Sequence, residues 1–349
     1  MKYGPFLKKG ETIGLIAPSF GCTFEPYASC LDSAISKMEE RGYNVICGSN
    51  CKKDDGIGKS TDPMSCGKEF MDFYQNESRV LISCGGGETM CEDLEFIDFE
   101  AIKHQEPKLF MGYSDNTNLT FTLPTIADTA AIYGPCIGTF GMKEWHGSIH
   151  DSMAVLTGEN LLIHGYDKWE KESLKDEDNP LVPFNVTEDA IHHNFIVGQQ
   201  GLAEDNEAEI KFEGRLIGGC LDSLICLCGT RFDKVKEFQE KYKDDGFIWF
   251  LEACDLNVLS IRRAMWQLSN ADWFRYCKGF LIGRPRIFNE PIMGLDQYKA
   301  VTEVLDKYNV PVLMDLDIGH LAPMMTIISG AYGIVSAKGN SINIVQVLK

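Results

Sequence analysis

The stretch KLFMGYSDNTNLTFTL, Lys108 to Leu123, runs from apolar residues of strand type through Gly112 to a polar corner at Ser114, then into an apolar-periodic segment. That is the pattern of strand, turn and helix. A serine at such a corner holds its hydroxyl above the end of the sheet, where the next amide and the helix N-terminus face any developing oxyanion. The full GxSxG pattern is absent, since Asn116 stands in the place of its last glycine. Helix capping by Ser114 or Asp115 is the simpler use of the same residues.

The rhythm extends in both directions. TIGLIAPSFG reads as a strand ending in a Pro/Ser/Gly turn, CLDSAISKMEERG as a helix closing on Gly42, YNVICGS as a strand, KEFMDFYQNES as a helix and RVLISCGGGE as a strand. ETMCEDLEFIDFEAIKHQ suggests one helix, and AAIYGPC a further strand beyond the serine segment. Strands alternating with helices indicate a parallel sheet with crossover helices, so residues 1–164 read as a doubly wound α/β domain of flavodoxin or Rossmann type. Residues 165–209 are charged, proline-bearing and without period, which reads as a linker or flap carrying Trp169 and Phe184. Residues 210–349 restart with EIKFEGRLIGG and read as a smaller, more β-rich mixed α/β domain.

The 349 residues suggest two domains. Thirty-three basic against 51 acidic side chains give a formal charge of -18, which repels phosphate backbones and anionic lipid. Nucleic acid and membrane surfaces are therefore poor partners. The N-terminal apolar stretch is too short for a signal peptide and no segment reaches spanning length, so a cytoplasmic protein is expected. The 13 cysteines are scattered, without paired metal-ligand spacing; no metal and no cofactor are expected.

Three glycines follow a strand in SCGGGE. Gly85, Gly86 and Gly87, with Glu88 behind them, form either a tight turn or a loop whose bare amides approach an anionic group. The spacing fits neither GxGxxG nor GxxxxGKS. If Ser114 reacts, this loop is the natural source of a second oxyanion amide, because both turns lie at carboxyl ends of parallel strands. Among seven histidines, His320 alone follows a strand end with a glycine beside it, as a positioned base would. Glu252 closes the apolar strand FIWFLE, where an unpaired carboxylate is costly, and Asp255, Asp315 and Asp317 are alternative partners for the base.

The ordered set IGLIAPS, SCGGGE, GYSDNT, YGP, GRLIGGCLDSL, FLE and DIGH resembles the LD-carboxypeptidase family of serine peptidases, and its length and long linker look most like the branch of the microcin C self-immunity protein. The resemblance implies a Ser-Glu-His triad of Ser114, Glu252 and His320, with the amides of Asp115 and Gly86 as oxyanion hole. It also implies a homodimer. The substrate it implies is a small peptide, either an LD-linked muropeptide or a microcin-type peptidyl or aminoacyl nucleotide; Trp169 is a candidate shelf for the base of the latter, or a simple anchor of its own segment. Family members carry Gly-Gly-Tyr in the oxyanion loop where Gly87 and Glu88 follow here. A non-catalytic protein that binds phosphate or a nucleotide through the glycine loop is the competing class.

Overall fold

The runs VLIS and LFMG are buried along their whole length, as strands covered on both faces must be. In the computed structural model, which describes residues 1–56 and 58–349, they lie at the centre of the first of two units: Met1–Leu161 with Glu172–Asn185 and Thr326–Ser329. Its strands are β1 (Thr12–Ile16), β2 (Asn44–Cys47), β3 (Val80–Ser83), β4 (Leu109–Gly112), β5 (Ala131–Tyr133) and the returning β15 (Ile327–Ser329). The spatial order is β15-β5-β4-β3-β1-β2, parallel throughout except for β15 against β5.

The order of the first five strands is that of a flavodoxin-like sheet, with its switch point between β1 and β3. Crossovers leaving neighbouring strands in opposite directions open a crevice there at the carboxyl ends. The loops leaving β1 and β3 begin at Ala17 and Cys84, and the turn at Ser114 leaves β4 beside them. Helices α1 (Tyr27–Glu40), α2 (Pro63–Gln75), α3 (Phe99–His104), α4 (Thr117–Ala127) and α5 (Gly147–Thr157) supply the connections. Local signals set their ends: Asp62 accepts from the Ser65 amide ahead of Pro63, and the His146 ring accepts from the Ser148 amide.

The single helix expected over ETMCEDLEFIDFEAIKHQ is two pieces, a 3-10 turn at Met90–Phe96 and α3. Asp98 breaks it by capping the Ala101 amide at 2.8 Å. A short polar side chain that offers the backbone a local bond competes with continued helix.

The second unit comprises Leu162–Lys171, Val186–Met325 and Gly330–Lys349. Its strands are β6 (Leu162–His164), β7 (Lys168–Trp169), β8 (Glu188–Asp189), β9 (His193–Gly198), β10 (Gly201–Glu204), β11 (Ile210–Cys220), β12 (Phe247–Glu252), β13 (Cys277–Gly283), β14 (Val312–Leu316), β16 (Tyr332–Lys338) and β17 (Ser341–Val347). Nine of them form one sheet, β10-β9-β14-β13-β12-β11-β16-β17-β6, with a parallel centre from β11 to β14 and antiparallel flanks. Trp249 stacks on Trp273 at a centroid distance of 5.9 Å, and Phe274 meets Trp249 edge-on, filling the space beside β12. Helices α6 (Leu221–Leu227), α7 (Val235–Lys241), α8 (Val258–Asn270) and α9 (Gln297–Leu305) complete it, the last two capped by Asn257 and Asp296.

Residues 165–209 are therefore more than a linker. They divide between the units and contribute β9 and β10 to the large sheet, which makes the second unit larger than residues 210–349. Short edge strands whose partners are distant in sequence leave no period to read. No described helix is long and apolar enough to cross a membrane.

Candidate active site

In the first unit, Ser114 opens a 3-10 turn of three residues between β4 and α4 and takes φ +63°, the left-handed region. For a non-glycine residue this costs about 1–2 kcal/mol, and such strain persists only where its surroundings enforce it. Here they do. Gly112 leaves room that a side chain would fill, since a Cβ there would lie 2.8 Å from the Asn116 Cβ. Asn116 Nδ2 donates to the carbonyls of Gly85 at 2.7 Å and Tyr113 at 3.0 Å. The residue that breaks the GxSxG pattern is the tie between the serine turn and the glycine loop.

Asp115 turns its carboxylate inward. It is 6% exposed and accepts from Ser19 Oγ at 2.5 Å, the Met90 amide at 3.0 Å and Asn118 Nδ2 at 3.0 Å. Burial pushes its pKa up while these hydrogen bonds hold it down. Asp93, also buried, is pushed up to about 9, by burial first and by the charge of Asp115 second. Neither Ser19 nor Asp93 stands out in the sequence, because each acts through a neighbour more than 20 residues away or through burial alone.

The glycine loop is fixed by its backbone. The Phe20 amide donates to the Gly86 carbonyl at 2.8 Å, and Ser83 Oγ to that of Gly85 at 2.9 Å. A Cβ on Gly86 would sit 3.0 Å from both Cβ and Oγ of Ser114, so the loop and the serine touch. Gly87 has φ +153°, and a side chain there would run into Ser19 and the Gly58 carbonyl. Phe20 packs against Gly85, while Glu88 is exposed.

In the second unit, His320 Nδ1 lies 2.8 Å from Oε2 of Glu252, which is 1% exposed at the end of β12. Two glycines clear the way. A Cβ on Gly283 would strike Glu252 Cβ and the Ile318 carbonyl, and one on Gly319, at φ +107°, would strike the Glu252 carboxylate. Burial alone would lower the histidine pKa; Glu252 and a hydrogen bond with Cys254 outweigh it and push it up to about 10. The other carboxylates have different partners: Asp315 takes Gln297 and Tyr298, Asp317 takes Arg284 and the Tyr166 amide, and Asp255 takes Arg286.

Trp169 is 4% exposed. The Arg284 guanidinium lies 4.5 Å over its ring and Phe288 meets it at 5.2 Å. The ring anchors its own segment and has little surface left to serve as a shelf.

Models of the LD-carboxypeptidase N-terminal and C-terminal domains match residues 13–134 and 213–334. The chain is 26% identical over 353 residues to the microcin C7 self-immunity protein MccF of Escherichia coli, covering 97% of this chain and 94% of that one. A solved structure of MccF in complex with aspartyl sulfamoyl adenosine superposes with a TM-score of 0.77 at 23% identity, over 99% and 98% of the two chains. A probable murein peptide carboxypeptidase of Bacillus subtilis is 26% identical over 331 residues, 93% of this chain and 88% of its own. The MccF-like protein of Bacillus anthracis has the same fold, with a TM-score of 0.81 at 21% identity over 99% and 100% of the two chains.

Proposed function

Since the chain belongs to the LD-carboxypeptidase family and is thereby a serine-type carboxypeptidase, we propose that Ser114 is its nucleophile, His320 its base and Glu252 the carboxylate that orients the base. The observation that carries this reading is the 2.8 Å bond between His320 Nδ1 and the buried Glu252. It fixes the tautomer and leaves Nε2 as the nitrogen for proton transfer. The left-handed serine touching Gly86 supports it from the other side of the chemistry.

In this mechanism His320 takes the proton of Ser114 Oγ as the oxygen attacks the scissile amide carbonyl. The amides of Asp115 and Gly86 receive the oxyanion. The imidazolium, stabilised by Glu252, gives its proton to the leaving amine, and water releases the acyl group by the same steps.

The substrate we propose is a small peptidyl amide of the aminoacyl nucleotide type, supported by the match to MccF across nearly the whole of both chains. An LD-linked muropeptide is the second reading, supported by the burial of Trp169, which leaves little of its ring exposed to meet a nucleoside base. Wild type and Ser114→Ala, incubated with aspartyl sulfamoyl adenosine and with an LD-tetrapeptide, decide between them by mass spectrometry of the products. Cleavage of one by the wild type alone assigns nucleophile and substrate together. Equal cleavage by Ser114→Ala overturns the mechanism.

A further inference from the structure

Four thiols gather around the carboxyl end of β1, beside the glycine loop, and the hydrolytic chemistry uses none of them. Cys51 Sγ donates to the Leu15 carbonyl at 3.3 Å, and Cys47 is the partner of Leu15 across the β1–β2 pair. The Cys22 amide donates to the Cys51 carbonyl at 2.7 Å and its Sγ to the Cys84 carbonyl at 3.8 Å. Cys84 is held to Ile16 through its amide at 2.8 Å.

The side chains form a relay. The Cys51 sulfur interacts with the thiols of Cys47 and Cys84, and Cys84 with that of Cys22. Cys47 is exposed, whereas Cys51, Cys22 and Cys84 are 1%, 2% and 3% exposed, so solvent reaches the relay from one end. The neighbouring Cys47 and Cys84 draw the pKa of Cys51 well down, Cys51 raises that of Cys47, and Cys22 with Cys51 raises that of Cys84. Thiolate character beside an accessible thiol is the environment of a reactive pair. Among the described residues no group of three or more His, Cys, Asp or Glu forms a metal-ligand set.

We propose that Cys47 and Cys51 are a thiol–disulfide exchange site for small disulfides of the glutathione type. Cys47 attacks one sulfur of the disulfide as its proton passes to the departing sulfur; a Cys47–S–S–R bond forms and one RSH leaves. The Cys51 sulfur, its proton going to the departing thiolate, then attacks the Cys47 sulfur and displaces the second RS⁻. The cysteine pair is oxidised by two electrons and the small disulfide is reduced to two thiols, each carrying the proton of one cysteine.

Closing this bond takes from Cys51 its hydrogen bonds to Cys84 and Leu15. Cys84 immediately precedes Gly85, and Cys22 follows Phe20 by two residues, whose amide holds Gly86. Oxidation therefore displaces the glycine loop. Its effect on hydrolysis rests on the reading of Gly86 as an oxyanion donor.

The test is to treat the reduced full-length protein with oxidised glutathione, block remaining thiols with iodoacetamide and map the peptides. The expected product is one Cys47–Cys51 disulfide, with protein mass lower by two hydrogens and the exposed Cys226 still alkylated. Hydrolysis is expected to fall roughly tenfold, less than the loss of a whole oxyanion donor, and to return with dithiothreitol. Cys47→Ser should match the reduced wild type and ignore the oxidant. Cys47 stopping as a glutathione mixed disulfide, or reaction at Cys226 with Cys47 and Cys51 both free, overturns the exchange site. The map reads this whether or not the substrate assignment holds. Unchanged hydrolysis in a fully cross-linked sample overturns the coupling to the loop.

Discussion

Asn116 Nδ2 lies 2.7 Å from the carbonyl oxygen of Gly85, so the residue two places after the serine bonds the serine turn to the glycine loop. Asn116→Gly would restore the GxSxG pattern in sequence while removing this tie. The expected outcome is a folded protein with turnover reduced roughly 10- to 100-fold, because small displacements of reacting groups carry large rate penalties. Steady-state kinetics alongside circular dichroism check it; full activity in the variant would show that the tie is dispensable.

Glu252→Gln keeps the shape of the side chain and removes its charge. The folded pKa of His320, about 10, lies above its ordinary 6.5, so this pair contributes stability that is fully present below about pH 6.5 and is lost as pH rises through about 10. The variant should be less stable at neutral pH by a few kcal/mol and should lose that pH dependence. It should also move the acid limb of the kcat/KM profile to lower pH, with a lower plateau, as deprotonation of His320 becomes easier. Denaturation curves at several pH values and NMR titration of His320 measure both effects.

Gly319→Ala should destabilise the second unit. The position combines φ +107° with a side-chain direction that points into the Glu252 carboxylate, so the methyl group has neither the backbone conformation nor the space it needs. A loss of roughly 2–4 kcal/mol is expected. A thermal midpoint equal to that of wild type would contradict this packing.

Asp93 carries the opposite linkage to that of a salt-bridged acid. Its folded pKa, about 9, lies above the ordinary 3.8, so between those values the unfolded chain is ionised and the folded one is not. Stability is therefore drained as pH rises from about 4 towards 9. Asp93→Asn should stabilise the protein by about 1–3 kcal/mol at pH 7 and leave it unchanged near pH 4. Urea denaturation at the two pH values distinguishes this from a variant that is simply better packed, which would gain equally at both.

Much of the site is legible from local patterns. Strand, glycine and serine in Leu109–Ser114 announce the turn, and three glycines after VLIS announce a loop with bare amides, because turn chemistry is set by the residues that make it. The isolation of His320 at a strand end is equally local. Ser19, Asn116 and Asp93 are different. Their hydrogen bonds and burial arise from loops that leave separate strands, so neither spacing nor composition marks them. Trp169 shows the same limit, since an aromatic in a charged stretch reads equally well as a ligand shelf or as an anchor until Arg284 is seen over its face.

By itself the sequence determined the alternation of strands and helices, the parallel character of the first sheet, the serine corner and the short choice of carboxylates for His320. Those features depend on periodicity and on residues near one another in the chain. Only the tertiary structure decided that Glu252, and not Asp255, Asp315 or Asp317, faces the imidazole. That choice lies in the register of β12, β13 and β14 and in the room that Gly283 and Gly319 leave between them, across 68 residues of chain. Hydrogen-bond partners at such separations are selected by sheet pairing, which no local pattern encodes.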